Sequence, residues 1–266
     1  LRAQALTRGF RPLLILLLPP LPPTQFEEGM MLYQQGRPAE AVELFRQAAE
    51  AGSAEAQFRL ATMYQQRLCV PDDKQQALRC CEAAVQQGHH LAAALYFLIV
   101  QQYSKAAPIF IHFADNLDHT DAHFYLGLLF LDGLGLPADV PEALRRLHIA
   151  SERGLAAAQY HYATMYVKGV GVVKDYVTAY KWYLQSAQQG YADAQFSLGM
   201  MFQKGRGVDV DDVKAAECYK LAADQGLPGA QFHLALCAQN GWGMQRNERA
   251  ALELFREAAL QGYAPA

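Results

Sequence analysis

Two histidines four residues apart are the first candidates for chemistry in this sequence. His119 and His123 would lie on one face of a helix, which is a spacing of paired metal ligands, and His148 follows on the next predicted helix. No carboxylate or cysteine stands at ligand spacing from this pair. Glutamines such as Gln159 and Gln195 occupy the position of His123 in the related segments described below. We therefore interpret His123 as a polar residue with a structural role, and we predict no metal site.

The five cysteines form no recognisable redox or disulfide pattern. Their number is odd and their spacing is irregular, unlike the framework of a small secreted domain. Cys80 and Cys81 are adjacent, so a helix would direct their side chains apart. We interpret both as structural, and a reactive thiol is the alternative. Cys69 falls in an irregular turn and is the cysteine that we expect to be exposed.

The sequence lacks the motifs of nucleophilic, metalloprotease and nucleotide-binding sites. It contains no GxSxG, HExxH, GxGxxG or GxxxxGK[ST], so we predict no catalytic residues and no cofactor. The 23 Lys and Arg residues against 26 Asp and Glu give a formal net charge of −3, which argues against a nucleic-acid partner. With 266 residues, 52% of them hydrophobic, the chain can bury a sizeable core.

Residues 1–23 differ in composition from everything that follows. Three arginines precede the apolar run 13–18, and the first acidic residue is Glu27, a layout typical of an export signal. Four prolines after the run and the lack of a small-residue cleavage site argue against export; a mis-assigned upstream start and a mitochondrial-type presequence are the alternatives. The run is far shorter than the ~20 residues of a transmembrane helix, so we predict no span. We expect an exported or periplasmic protein if this segment is a signal, and a cytoplasmic one otherwise.

A period of 36 residues runs through most of the remaining sequence. Glycines that end a unit recur at Gly154, Gly190, Gly226 and Gly262. In units that begin at residues 53, 119, 155, 191 and 227, alanine always occupies positions 4 and 25. Small and apolar residues at positions 4, 8 and 12 and at 25, 29 and 32 predict two helices per unit. The alanines let neighbouring helix backbones approach closely, and aromatic residues fill the adjoining space.

The segment between the two helices of a unit has its own pattern. Two glycines separated by one residue, as at Gly205 and Gly207, supply the positive φ angles that end a helix and turn the chain. An Asp or Asn suited to capping the second helix follows. The predicted caps are Asp139, Asp175, Asp211 and Asn247. Glu142, three residues after the first of these, predicts a capping box.

The pattern divides the sequence into seven units and the truncated start of an eighth. A tetratricopeptide-like unit covers 24–52, a degenerate short unit covers 89–118, and residues 263–266 begin the eighth. The full-length units are 53–88, 119–154, 155–190, 191–226 and 227–262. In the unit 53–88, Arg67 and Cys69 replace both turn glycines, which predicts an altered turn.

The repeat closely resembles the Sel1-like repeat, a relative of the tetratricopeptide repeat, through the pattern A-Q-x-x-L-G-x-x-[YF]-x-x-G-x-G-V-x-x-[DN]-x-x-K-A-x-x-[WY]-Y-x-x-A-A-x-Q-G. Residues 191–226 match it best. The resemblance implies an all-α fold, a right-handed superhelical α-solenoid of antiparallel helix pairs, that serves as a protein-binding scaffold. A cysteine-rich branch of the family is credited with β-lactamase-like activity. That branch is a poor match, because the units 119–154 and 155–190 contain no cysteine.

By analogy with tetratricopeptide arrays, positions 3, 6, 10, 13 and 14 of the first helices should line the concave surface. The predicted partner-binding residues are Phe124, Leu128, Leu131, Tyr160, Thr164, Val167, Lys168, Phe196, Met200, Gln203 and Lys204. The alternative is that the position 6 aromatics belong to the core, because every unit has Phe or Tyr there.

The leading hypothesis for function is a non-enzymatic adaptor that takes an extended or helical segment of a partner protein in its concave groove. Two other functions stay open. One is self-association through uncovered repeat ends, and the other is an exported hydrolase with β-lactamase-like activity.

Overall fold

The computed structural model describes residues 24–70 and 73–263. Within these residues the secondary structure consists of fourteen α-helices without a strand, which confirms the all-α prediction. The helices are α1 (Gln25–Gln34), α2 (Pro38–Glu50), α3 (Ala54–Gln66), α4 (Lys74–Gln86), α5 (His90–Ile99), α6 (Tyr103–Asp115), α7 (Thr120–Asp132), α8 (Val140–Glu152), α9 (Ala156–Lys168), α10 (Tyr176–Gln188), α11 (Ala192–Lys204), α12 (Asp212–Asp224), α13 (Pro228–Asn240) and α14 (Glu248–Leu260). The possible signal segment 1–23 and the position 4 alanine of the eighth unit, Ala266, lie outside the described residues.

Consecutive helices pack as hairpins, from α1 with α2 to α13 with α14, and each hairpin stacks on the next. This stack is the solenoid that the 36-residue period predicts. The alanines at positions 4 and 25 are all buried between helices, at 2% exposure or less. In the part of the chain that the structure describes, no helix combines the length and the hydrophobicity that crossing a membrane requires.

Polar side chains begin the second helices of the full-length units as predicted. The cap side chains that accept a backbone N–H of the following turn are Asp139, Asp175, Asp211 and Asn247. The predicted capping box at Glu142 is wrong, because the Asp139 N–H donates to Phe130 O instead. The Glu142 carboxylate binds Arg145 and Arg146 on its own helix.

The turns between the two helices of a hairpin share one backbone conformation. Gly133 and Gly135 take φ angles of 66° and 72°, and Arg67 and Cys69 take 53° and 57° at the equivalent positions. We predicted that loss of both glycines alters this turn. That prediction is wrong for the φ angles, which stay in the left-handed region. Arg67 and Cys69 are held in a left-handed conformation that costs about 1–2 kcal/mol per residue for side chains of the L configuration.

The hairpin of α5 and α6 is the irregular member of the stack. Helix α5 has 10 residues, whereas α3 and α7 on either side of it each have 13. Its connection to α6 has no glycine, and Gln101 supplies the positive φ angle of 63°. Side chains of α3 reach α7 past this shorter helix, as described next.

Candidate functional site

Hydrogen bonds between two residue pairs that skip a unit identify the side of the array that faces inward. Arg59 of α3 donates through Nη1 to the Asp121 carboxylate of α7 at 3.2 and 3.3 Å, and Gln66 Nε2 donates to the Tyr125 hydroxyl at 3.3 Å. These residues stand at positions 7, 3, 14 and 7 of their units, which form one stripe of a helix. We call positions 3, 7, 10 and 14 of each first helix the inner stripe.

Between α3 and α7 the inner stripe is closed. Arg59 and Asp121 are only 8% and 2% exposed, and the Arg59 guanidinium lies 5.6 Å from the centre of the Tyr33 ring. Burial is the largest single effect and lowers the pKa of Arg59, but Asp121 together with Tyr33 and Glu55 outweighs it, so the pKa of Arg59 is raised. Burial also raises the pKa of Tyr33 to about 12. A partner would have to break a buried ion pair to enter here, and separating such a pair is strongly unfavourable.

Along α9, α11 and α13 the inner stripe is open. Its side chains at positions 7, 10 and 14 are half-buried or exposed: His161, Thr164, Lys168, Ser197, Met200, Lys204, His233, Leu236 and Asn240. Within the described residues, neither Lys168 nor Lys204 has an ion-pair partner. Position 7 was not among the predicted groove positions. It could have been found from the lysines at position 14, because residues seven apart in a helix lie on the same face.

The two histidines of the open stripe favour the neutral form. Burial, with Lys168 contributing, lowers the pKa of His161 to about 4. Burial and Lys204 lower the pKa of His233, and its Nδ1 atom is buried without a hydrogen-bond partner in the described structure. The open stripe therefore presents neutral imidazoles beside two ammonium groups.

The position 6 aromatics lie between helices. Phe124 is 2% exposed and belongs to the core, as the alternative interpretation proposes. Tyr160 and Phe196 are half-buried, and their ring centres lie 5.6 and 5.7 Å from those of Tyr183 and Tyr219 on the second helices. Of these three predicted groove residues, only Tyr160 and Phe196 keep a surface that a partner can contact.

The residues at positions 10 and 13 support the hairpins from the inner side. The Thr164 and Tyr183 hydroxyls are hydrogen-bonded at 2.9 Å, and the Tyr219 hydroxyl donates to Gln203 Oε1 at 2.9 Å and to Met200 Sδ at 3.2 Å. Thr164, Met200 and Gln203 stay half-buried, so each holds the ring of a buried tyrosine and keeps a face toward the groove. The other predicted groove residues are also half-buried or exposed: Leu128, Leu131, Val167, Lys168 and Lys204.

An open cavity of about 400 Å³ lies where the closed part of the stripe ends. Leu128 lines it together with Gln65, Arg67, Leu98 and Asp132. Leu128 therefore faces the space shared by α3, α5 and α7.

Position 5 carries a side-chain clasp that joins the first helix of a unit to the end of the second helix of the same unit. In four units a glutamine at position 35 donates to a glutamine at position 5, as Gln225 Nε2 does to Gln195 Oε1 at 2.8 Å. In the unit 119–154, His123 takes this place and binds Asp118 at 2.9 Å, and Arg153 binds the same carboxylate. Among the residues that the structure describes, no group of three His, Cys, Asp or Glu side chains is placed to hold a metal ion.

The thiols are poorly suited to nucleophilic chemistry. Cys69 is half-buried, as are Cys80 and Cys218, so the prediction of an exposed Cys69 is wrong. Burial raises the pKa of Cys69, and it raises that of the fully buried Cys81 to about 12. Both thiols are therefore protonated at neutral pH, and the thiol is the weakly nucleophilic form.

Comparison with protein families identifies the repeat. A family model described as the Sel1 repeat matches residues 25–53, 54–89, 120–155, 156–191, 192–227 and 228–263. The matched segments pass over residues 90–119, where α5 is short and the turn lacks glycine.

Several known proteins are similar to this chain. A protective antigen of uropathogenic Escherichia coli with an SLR fold is 30% identical, and the match covers 84% of this chain and 49% of the antigen with a TM-score of 0.60. A Sel1 repeat protein from Oxalobacter formigenes is 29% identical, covers 90% of this chain and 72% of its own, and has a TM-score of 0.62. An exopolysaccharide production negative regulator of Rhizobium meliloti (strain 1021) is 29% identical over 151 residues, which are 49% of this chain and 56% of the regulator. The chain thus spans about half the length of the antigen and of the regulator.

Proposed function

The chain belongs to the Sel1 repeat family, and from that premise we propose that it is a non-enzymatic scaffold that binds another protein along the open inner stripe of α9, α11 and α13. One contrast within the chain carries the proposal. The inner stripe of α3 and α7 is joined by the buried pair of Arg59 and Asp121, whereas Lys168 and Lys204 have no ionic partner among the described residues. A partner segment would therefore meet its polar contacts on the open stripe only.

The chemistry of the open stripe suits an extended or helical segment laid across three units. Met200 on the stripe and Val167 beside it at position 13 offer apolar contact, and Thr164 on the stripe and Gln203 at position 13 offer hydrogen-bonding groups. Because each unit presents the same positions, a segment would meet one set of contacts per unit, and the polar members would fix its register.

The known relatives support binding rather than catalysis. Sel1 repeat proteins are in general scaffolds, and the Rhizobium relative bears the name of a regulator. Burial raises the pKa of the Cys69 and Cys81 thiols, which disfavours the thiolate that a cysteine nucleophile of the hydrolase alternative would need.

A charge-reversal pair with a matched control tests the proposal. Lys168→Glu with Lys204→Glu reverses two charges on the open stripe. Lys181→Glu with Lys220→Glu makes the same change at two exposed positions on the second helices α10 and α12. Each variant and the wild type would be used to isolate partners from the native host, with identification by mass spectrometry and circular dichroism to check folding.

We expect a partner recovered with the wild type to be recovered with the control pair and lost with the stripe pair. Equal recovery of every partner by the two double variants would assign binding to another surface. The four residues are all exposed, so a loss of binding would not be attributable to a disturbed core.

A second proposal is self-association through the last helix. Leu252 and Leu260 of α14 are 52% and 88% exposed, which leaves apolar area on this helix for a second copy of the chain to cover. Light scattering would then report an oligomer that Leu252→Glu with Leu260→Glu converts to a monomer. A monomeric wild type at the highest accessible concentration would refute it.

A further inference from the structure

We propose that the segment bound along the open inner stripe is acidic, and that two of its carboxylates pair with the ammonium groups of Lys168 and Lys204. The inference rests on the proposed function, because it names the class of segment that the scaffold takes. It concerns the inner-stripe positions of α9, α11 and α13, whose charges single out one partner chemistry.

Both lysines belong to the groove side of their helices. Lys168 ends α9 and Lys204 ends α11, and each stands seven residues after position 7 of its own helix, on the same face. Burial is the main cause of the lowered pKa of the two stripe histidines. Lys168 adds to this effect at His161. Lys204 adds to it at His233, which lies on the next first helix. Because a charge acts more strongly on an imidazole the closer it lies, the ammonium groups stand beside the imidazoles of the stripe.

On the described stripe, no acidic group lies beside this positive pair. Among the described residues neither lysine is held in an ion pair. Asp193 is the one acidic residue at the stripe positions of these three helices, which the structure describes in full. It stands in the first turn of α11 whereas Lys204 ends that helix, so about 16 Å of helix separate the two charges. Burial raises the pKa of Asp193 and Arg67 opposes that effect, so this carboxylate already has a cation of its own.

The positive pair is confined to two adjacent units. Asp132 and Asn240 occupy position 14 on α7 and α13. The chain as a whole carries a formal net charge of −3, so its surface on average repels an acidic segment. A concave surface lined by one sign of charge focuses the field, which makes the two ammonium groups the site of attraction. A segment would therefore place one carboxylate at α9 and the next at α11, and these two contacts would set its register.

The other side chains of the stripe suit the same segment. Met200 and Leu236 are half-buried and present apolar surface. The neutral imidazoles of His161 and His233 add hydrogen-bonding groups without adding charge. Apolar contact then contributes most of the affinity and the ion pairs contribute selection, because exposed ion pairs are individually weak.

A peptide selection with three versions of the full chain tests the inference. Phage that display random short peptides would be selected on the immobilised wild type, on Lys168→Glu with Lys204→Glu, and on Lys181→Glu with Lys220→Glu. The last pair is the matched control, because it makes the same change of charge at exposed positions of α10 and α12. The recovered pools would be sequenced, and circular dichroism would check that all three proteins are folded.

We expect Asp and Glu to be enriched about twofold or more over the unselected library in the pools from the wild type and from the control pair. The stripe pair should lose this enrichment and select Lys and Arg instead, because its charge is reversed. A selected acidic peptide should bind the wild type about threefold or more tightly than its counterpart with Asn and Gln in place of Asp and Glu. The difference should shrink at high salt, which screens exposed charges.

Two results would overturn the inference, and they separate it from the proposed function. Peptides that are lost with the stripe pair and kept with the control pair, but that show no enrichment of Asp and Glu, would rule out an acidic segment and leave the groove proposal standing. Recovery of the same peptides by all three proteins, or of none, would remove both proposals, because binding would then not involve the open stripe.

Discussion

Gly199 of α11 lies directly against the ring of Tyr219 of α12, so that a Cβ on Gly199 would stand 2.5 Å from Tyr219 Cε1. The ring is fixed there because its hydroxyl donates to Gln203 and Met200. Two predicted groove residues therefore also hold the hairpin together. A charge placed at Met200 would disturb this packing as well as any partner contact, which is why the lysines are the better test of the groove.

We predict that Gly199→Ala lowers the free energy of unfolding by about 1–3 kcal/mol, because the added methyl group forces the Tyr219 ring to move in a filled core. Gly229→Ala is the control, since its Cβ would lie 3.5 Å from the Phe196 ring, an ordinary contact. It should be neutral or stabilising by up to about 1 kcal/mol, because alanine is the better helix former. Urea unfolding followed by circular dichroism measures both. Equal effects would mean that the ring is free to shift.

We predict that Asp121→Ala lowers the free energy of unfolding by about 3–5 kcal/mol, because it leaves the buried Arg59 guanidinium without its carboxylate. Replacing both residues, Arg59→Met with Asp121→Leu, should restore most of that stability. Glu253→Ala is the control: its partner Arg249 is 91% exposed, and breaking so exposed a pair should change stability by less than about 1 kcal/mol. Urea denaturation of all four proteins gives the comparison, and a loss at Asp121 no larger than at Glu253 would contradict the prediction.

The repeat made the helices and their caps predictable, since each unit supplies the same evidence again. Ala194, Gly205, Gly207 and Asp211 are found where the period and their residue types place them. Glu142 was mispredicted because a capping box competes with ion pairs, and two arginines on its own helix bind the carboxylate.

The inner stripe was harder to predict because it depends on contacts between units that are not adjacent. The pairing of Arg59 with Asp121 joins residues 62 apart in sequence, and no periodicity encodes it. The same holds for Cys69, which the irregular turn suggested was exposed and which Gly190 in fact contacts. For the contact with Gly190, the sequence signal was that Arg67 and Cys69 depart from the glycines of the repeat.

We predict that His161 makes stability depend on pH between 4 and 6.5. Burial lowers the pKa of His161 from 6.5 to about 4, so the unfolded chain binds the proton first as the pH falls. The contribution of the neutral imidazole is therefore complete above pH 6.5 and is lost as the pH falls through this window. Between pH 7 and pH 4 the wild type should lose about 1–3 kcal/mol more than His161→Gln does. His112→Gln, at an exposed position on α6, should keep the wild-type profile. Parallel profiles for His161→Gln and the wild type in urea titrations would contradict this assignment.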